Sequence, residues 1–178
     1  MTEIETERTY LARELPKDIA NSPSKLIVDV YYPASAPHPT LRVRQRGDTY
    51  EITKKTQVDA VDASQQTEDT IPISAEEFAA LTKNPGKRVA KMRYFYKYQG
   101  RVAEIDIFQE DLAGLVEVDF EFTSKDEFAA FTMPDFCLAD VTQEEAFAGG
   151  VLAGKKYADF AEKLASYGYK PLSMSNKE

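Results

Sequence analysis

The residue types that most often carry enzyme chemistry are nearly missing from this 178-residue chain, which has one cysteine, one histidine and no tryptophan. A single cysteine, Cys137, excludes an intrachain disulfide and any Cys-rich zinc site, and it fits a reducing compartment. The one histidine, His38, sits in the Pro-rich stretch APHPT, so neither a His-pair metal site nor a Cys–His nucleophilic scheme has a framed imidazole. Positive charge is also short. Lys and Arg number 22 against 30 Asp and Glu, a formal net charge of -8, which as a whole repels duplex nucleic acid. No apolar run approaches the roughly 20 residues a membrane-spanning helix needs, and the opening MTEIETERTYL lacks the apolar stretch of a signal peptide. Hydrophobic residues still make up 43% and aromatics 11%, enough for a buried core rather than a disordered chain. The expectation is a cytoplasmic globular protein of one domain spanning 1–178, without membrane or duplex nucleic acid as partner.

Strand signals dominate what is there. Residues 3–12 alternate, with Glu3, Glu5, Glu7 and Thr9 on one face and Ile4, Thr6, Arg8 and Tyr10 on the other. SKLIVDVYY is β-branched and aromatic. LRVRQRG and DTYEITKK flank a Gly-Asp turn and read as a hairpin. RVAKMRYFYKYQ, RVAEIDIF and GLVEVDFEF read as three consecutive strands, the first two joined at Gln99-Gly100, and FCLADV as a further short one. Residues 56–71, polar and acidic without a clear period, read as a long loop. Ser74 with Glu77, Ser124 with Glu127 and Thr142 with Glu145 form capping boxes that predict three short helices. Tyr157, Phe160, Leu164 and Tyr167 at helical spacing predict a last one, closed by Gly168. The pattern predicts an α+β fold, antiparallel and barrel-like, with few helices.

Charge is sorted by sign along the chain. Residues 83–101 carry seven bases and no acid, whereas 102–145 carry thirteen acids and one base. Alternation sorts it further. Glu117, Asp119 and Glu121 share one face of their strand, as do Glu104 and Asp106. Arg42, Arg44 and Arg46 share a face of another strand, and Lys91 and Arg93 of a third. A solvated sheet face ordinarily mixes signs, because like charges on one face repel. Separate acidic and basic strands suit a cavity in which carboxylates hold a divalent cation and Arg/Lys hold an anion. Oxygen donors without His or Cys select hard Mg²⁺ or Mn²⁺, and several guanidiniums facing one space suit a polyphosphate.

EIETERTYL, with Glu5 and Glu7, resembles the ExExK signature of the CYTH domain, the triphosphate tunnel metalloenzyme superfamily. LRVR, YEITKK, the KMRYFY–AEIDIF pair, and GLVEVDFEF followed by ADVT match further stretches in order, so the resemblance covers essentially the whole chain. It implies an eight-stranded antiparallel closed β-barrel, a triphosphate tunnel, with helices packed outside. It also implies a metal set of Glu5, Glu7, Asp106, Asp119, Glu121 and Asp140, holding Mg²⁺ or Mn²⁺. Arg42, Arg44, Lys55, Lys91 and Arg93 are implied to grip the triphosphate. Two departures stand out. The lysine closing ExExK falls at Thr9, which supplies no cation, and Asp119 and Asp140 are each one methylene shorter than the usual glutamate.

The implied activity is metal-dependent hydrolysis of inorganic triphosphate or a small organic triphosphate, with Glu5, Glu7 or Asp119 positioning the attacking water. A class IV-type adenylyl cyclase, making cyclic AMP and pyrophosphate from ATP, is the alternative within the family, and thiamine triphosphate is a third substrate. Outside enzymology, Thr9 leaves a non-catalytic polyphosphate- or nucleotide-binding module as the competing reading. The small-molecule triphosphate is the expected partner, and a homodimer is compatible with the sequence.

Overall fold

The computed structural model describes residues 2–59, 62–83 and 87–174, with side chains from Thr6 onward. Nine strands carry the architecture: β1 (Thr2–Ala12), β2 (Ser24–Tyr32), β3 (Leu41–Arg46), β4 (Thr49–Asp59), β5 (Asp62–Ile73), β6 (Lys87–Tyr98), β7 (Arg101–Phe108), β8 (Val116–Glu121) and β9 (Cys137–Asp140). They form one antiparallel sheet in the order β5-β4-β3-β2-β6-β7-β8-β1, closed into an eight-stranded barrel by pairing of β5 with β1. Strand β1 makes the closure because it is long. Its first half pairs β5 (Glu5 opposite Gln66), its second half pairs β8 (Thr9 opposite Asp119), and its end pairs β9 (Tyr10 opposite Asp140). Closure leaves the eight wall strands without free edges.

Hairpin turns sit where the sequence puts permissive residues. Gly47 has φ +58° between β3 and β4, and Gln99 and Gly100 have φ +48° and +79° between β6 and β7. The expected loop over 56–71 is corrected, since β4 and β5 run through it and pair residue by residue from Tyr50–Ile73 to Gln57–Gln66. These strands lack apolar alternation because polar residues occupy both faces, one lining the barrel interior and one facing solvent.

Two apolar clusters hold the barrel. Outside it, Tyr10, Ile105, Val118 and Phe120 are covered by Phe128, within α2 (Lys125–Ala130), and by Phe131 at its end, and Phe120 lies 4.6 Å from Phe131 between ring centroids. The Tyr94, Tyr96 and Tyr98 rings also pack on this outer cluster. At one end of the barrel, inward-facing Leu11, Tyr31, Val89 and Phe108 meet Phe147, Leu152, Phe160 and Leu164. These come from α3 (Gly149–Leu152), α4 (Ala161–Ser166) and the chain around them. Helix α1 (Ala75–Leu81) packs on β3 and β4, with Phe78 against Tyr50.

The Ser74–Glu77 capping box forms reciprocally. Ser124 caps Glu127, whose carboxylate accepts from Thr123 instead of Ser124. The box expected at Thr142 and Glu145 does not form. The Thr142 hydroxyl donates to Asp140 and accepts from the Thr9 amide, so it is spent on holding β1.

Gly150 marks the tightest contact of the end plug, since a Cβ there would overlap the Pro39 carbonyl oxygen. Gly150→Ala is expected to destabilise the protein by about 1–3 kcal/mol through overpacking, measured as a lowered midpoint in urea unfolding.

Candidate active site

Strand alternation turns one face of every barrel strand inward, and the charged stripes of the sequence meet across a cavity of about 480 Å³. Strands β3, β4 and β6 bring Arg42, Arg44, Arg46, Lys55, Lys91 and Arg93 to it. Strands β1, β7 and β8 bring Glu7, Glu104, Glu117, Asp119 and Glu121, and Thr9 sits among them. The cavity thus has a basic wall and an acidic wall.

The walls are tied by ion pairs. Arg44 forks onto Asp29, Nε to Oδ1 at 2.6 Å and Nη2 to Oδ2 at 2.7 Å, with both side chains buried. Arg93 forks onto Asp106 at 2.7 Å through Nε and Nη2, reaches Glu104 through Nη1, and lies 3.3 Å from Asp119. Lys91 also pairs with Asp106. Arg42 Nη2 meets Glu68 at 3.1 Å, while Lys55 stands between Glu68 at 3.6 Å and Glu7 at 3.8 Å.

The partners divide the carboxyl groups into two sets. Burial alone raises a carboxyl pKa, but the Arg44 guanidinium outweighs it at Asp29 and holds that group well below the usual range. Arg93 and Lys91 do the same at Asp106, holding it at about 2 against the pull of burial. On β8 the balance reverses. Burial first, then the charges of Glu7 and Asp106, push Asp119 up to about 7. Burial and the neighbouring Asp119 raise Glu117 well above its ordinary value. Such divergent environments in one cleft mark a functional site.

The sequence-derived site residues fall as follows. Glu7, Asp119, Glu121, Arg42, Arg44, Lys55, Lys91 and Arg93 share the cavity. Glu5 lies on β1 opposite Gln66, and its side chain is outside the described residues. Asp106 is fully buried behind Lys91 and Arg93 and is engaged by both. Asp140 is not brought to the cavity. Its carboxylate accepts from the Thr142 amide at 3.0 Å and lies 3.9 Å from Arg8, on the outward face of β1. Thr9, in the lysine position of the resemblance, donates to Asp119 Oδ1 at 2.8 Å.

Asp29, Glu68 and Glu117 escape a reading by motif. Asp29 hides inside the apolar run LIVDVYY, where a lone acid between β-branched residues is itself a signal of an interior cation. Glu68 lies in the stretch read as loop. Glu117 was visible on the acidic face but matched no motif.

The donor set suits a hard divalent cation. It is all carboxylate and hydroxyl oxygen, on one wall, with Glu117 Oε1 buried and without a hydrogen-bond partner. Among the described residues no three Asp, Glu, His or Cys side chains already converge on a point. Cations hold two of these carboxylates instead, Lys55 at Glu7 and Arg93 at Asp119.

A closed antiparallel barrel enclosing opposed cationic and anionic walls is an anion-binding tunnel. No family model matches the chain. An inorganic triphosphatase of Nitrosomonas europaea is 33% identical over 115 residues, which are 64% of this chain and 74% of that protein. A crystal structure of an inorganic triphosphatase superposes with a TM-score of 0.62 at 29% identity, covering 84% of this chain and 93% of that one. A putative adenylate cyclase from Bacillus halodurans shares the fold, with a TM-score of 0.54 at 15% identity over 99% of this chain and 96% of its own. The chain belongs to the CYTH, or triphosphate tunnel metalloenzyme, superfamily.

Proposed function

We propose that this protein is a triphosphatase that hydrolyses inorganic triphosphate, using Mg²⁺ or Mn²⁺, inside the barrel. The observation that carries the reading is the pair of opposed charged walls around one cavity, and the inorganic triphosphatase relative supports the choice of substrate. Arg42 and Lys55 bind the phosphate oxygens, giving up Glu68 and Glu7 to do so. Arg93 and Lys91 stabilise the charge that develops on the transferring phosphoryl group, from positions fixed in advance by Asp106. Glu7, Asp119 and Glu121 hold the metal, and the family resemblance adds Glu5 to them. When bound, such an ion would supply neutralisation of the phosphate charge. Asp119, with Glu7 beside it, accepts a hydrogen bond from the attacking water and orients it. A cytoplasmic setting belongs to this reading and is supported by the free, buried Cys137. Among the described residues no helix is long and apolar enough to cross a membrane.

The experiment is phosphate release from tripolyphosphate, ATP and thiamine triphosphate side by side, with Mg²⁺, Mn²⁺ or a chelator. Fast release from tripolyphosphate that the chelator stops is the expected result. Tight tripolyphosphate binding without release would instead make the protein a sensor, and cyclic AMP from ATP would make it a cyclase. Arg42→Ala is expected to weaken tripolyphosphate binding measured by calorimetry without metal by roughly tenfold to a hundredfold, the worth of a charge-assisted contact. Glu121→Gln is expected to leave that metal-free binding near wild type while raising the Mn²⁺ concentration needed for half-maximal activity.

A further inference from the structure

The tunnel charges do not balance evenly. On one side Arg44 is matched by Asp29, while Arg42 and Lys55 are matched by Glu68 and Glu7. Around β7 and β8, however, two cations, Lys91 and Arg93, serve four carboxylates: Glu104, Asp106, Glu117 and Asp119. Both cations already contact Asp106. Glu117 is therefore the acid left over. It lines the cavity, is 4% exposed, and its Oε1 has no hydrogen-bond partner among the described residues. A buried carboxylate oxygen without a partner is unfavourable unless a proton or a cation compensates it.

The place where that compensation belongs is defined by register. Glu117 sits opposite Leu11 on β1 and Asp106 on β7, one inward step from Asp119, which faces Thr9. Thr9 Oγ1 donates its proton to Asp119 and keeps its lone pairs free to ligate. Two carboxylates and a hydroxyl, all hard oxygen, lie on adjacent strands, and with all four acids ionised the cluster to which these two carboxylates belong has two more carboxylates than cations. That inner corner is next to Tyr31, Val89 and Phe108 at the closed end of the barrel, where solvent counter-ions screen least.

We propose that Glu117 anchors an inner divalent-cation site, completed by Asp119 and the Thr9 hydroxyl, which fills in the absence of any triphosphate. The inference rests on the triphosphatase reading only in taking Glu7 and Glu121 as the outer metal ligands, with Asp119 shared between the two ions. The inner cation occupies the corner of the tunnel where a residue with a cationic side chain at position 9 would otherwise neutralise Asp119. Thr9 and Glu117 then belong together, the first leaving room for an ion and the second supplying its charge.

The test uses Mn²⁺ alone, titrated into metal-free protein and followed by the electron paramagnetic resonance signal of free Mn²⁺. The expected result is that wild type holds two ions per chain and Glu117→Gln one, the inner ion weakened at least about tenfold. Glu117→Asp should give an intermediate inner affinity, and Glu121→Gln should weaken the other ion. Thermal unfolding of the metal-free variants checks the fold, and Glu117→Gln should melt no lower than wild type because it removes an uncompensated charge. Glu117→Gln and Glu117→Asp that both bind Mn²⁺ within about twofold of wild type in affinity and number would overturn the proposal, as would wild type binding fewer than two ions. Calorimetry with tripolyphosphate in a chelator separates the cases, since tight binding there upholds the tunnel reading even when the inner site fails.

Discussion

Arg93→Ala is expected to cost about 3–5 kcal/mol of stability, the usual loss when one partner of a buried ion pair is deleted, together with about 100- to 1000-fold in kcat. Both effects come from one geometry. The guanidinium is 8% exposed and spans three carboxylates, forking onto Asp106 while reaching Glu104 and Asp119. Removing it leaves Asp106, itself fully buried, with Lys91 as its remaining cation. The stability loss is read from urea unfolding and the rate from phosphate release at saturating tripolyphosphate. A double variant separates the two roles. Arg93→Ala with Asp106→Asn removes both ends of the fork, so most of the stability should return, whereas the rate should not. Recovery of the rate in the double variant would mean that Arg93 acts only by supporting the barrel.

That Arg93, Arg42 and Arg44 were legible in the sequence follows from how strands expose information. A charged residue at every second position is unusual enough to announce an interior polar face, and the same logic found Glu117, Asp119 and Glu121. Legibility failed where the period carried no contrast. Strand β5 is polar on both sides, so Gln66 and Glu68 inside cannot be told from Gln65 and Thr67 outside, and the strand read as loop. Asp29 failed for the opposite reason, because it interrupts an apolar run without a second charge at i+2 to mark the face. Asp140 shows a third limit. Its residue type was read correctly as an acid at the end of a strand, but β9 pairs β1 beside a register shift at Leu11/Ala12. The side chain caps Thr142 rather than entering the cavity. Alternation predicts a face only while the ladder is regular.

Metal-free protein is expected to lose stability as pH rises from about 5 to 8, and Mg²⁺ is expected to restore it increasingly over the same range. The sign follows from the carboxyl groups on β8. Asp119 is raised to about 7 by burial and by the charges of Glu7 and Asp106, and Glu117 is raised in the same direction by burial and by Asp119. A carboxyl whose pKa is higher in the folded state stabilises the fold most below its unfolded value near 4, and that contribution disappears as pH climbs through the folded value. The groups held low, Asp29 and Asp106, contribute stability that is present above pH 4 and lost only in stronger acid. They therefore do not mask the effect between pH 5 and 8. A shift of this size amounts to a few kcal/mol, enough to move a melting temperature by several degrees. Asp119→Asn should reduce the slope without abolishing it, because Glu117 remains. The double variant with Glu117→Gln should flatten it and should also reduce the stabilisation by Mg²⁺ at pH 8. Melting curves that are parallel in pH for wild type and the double variant would show that these carboxyl groups are not where the barrel stores its uncompensated charge.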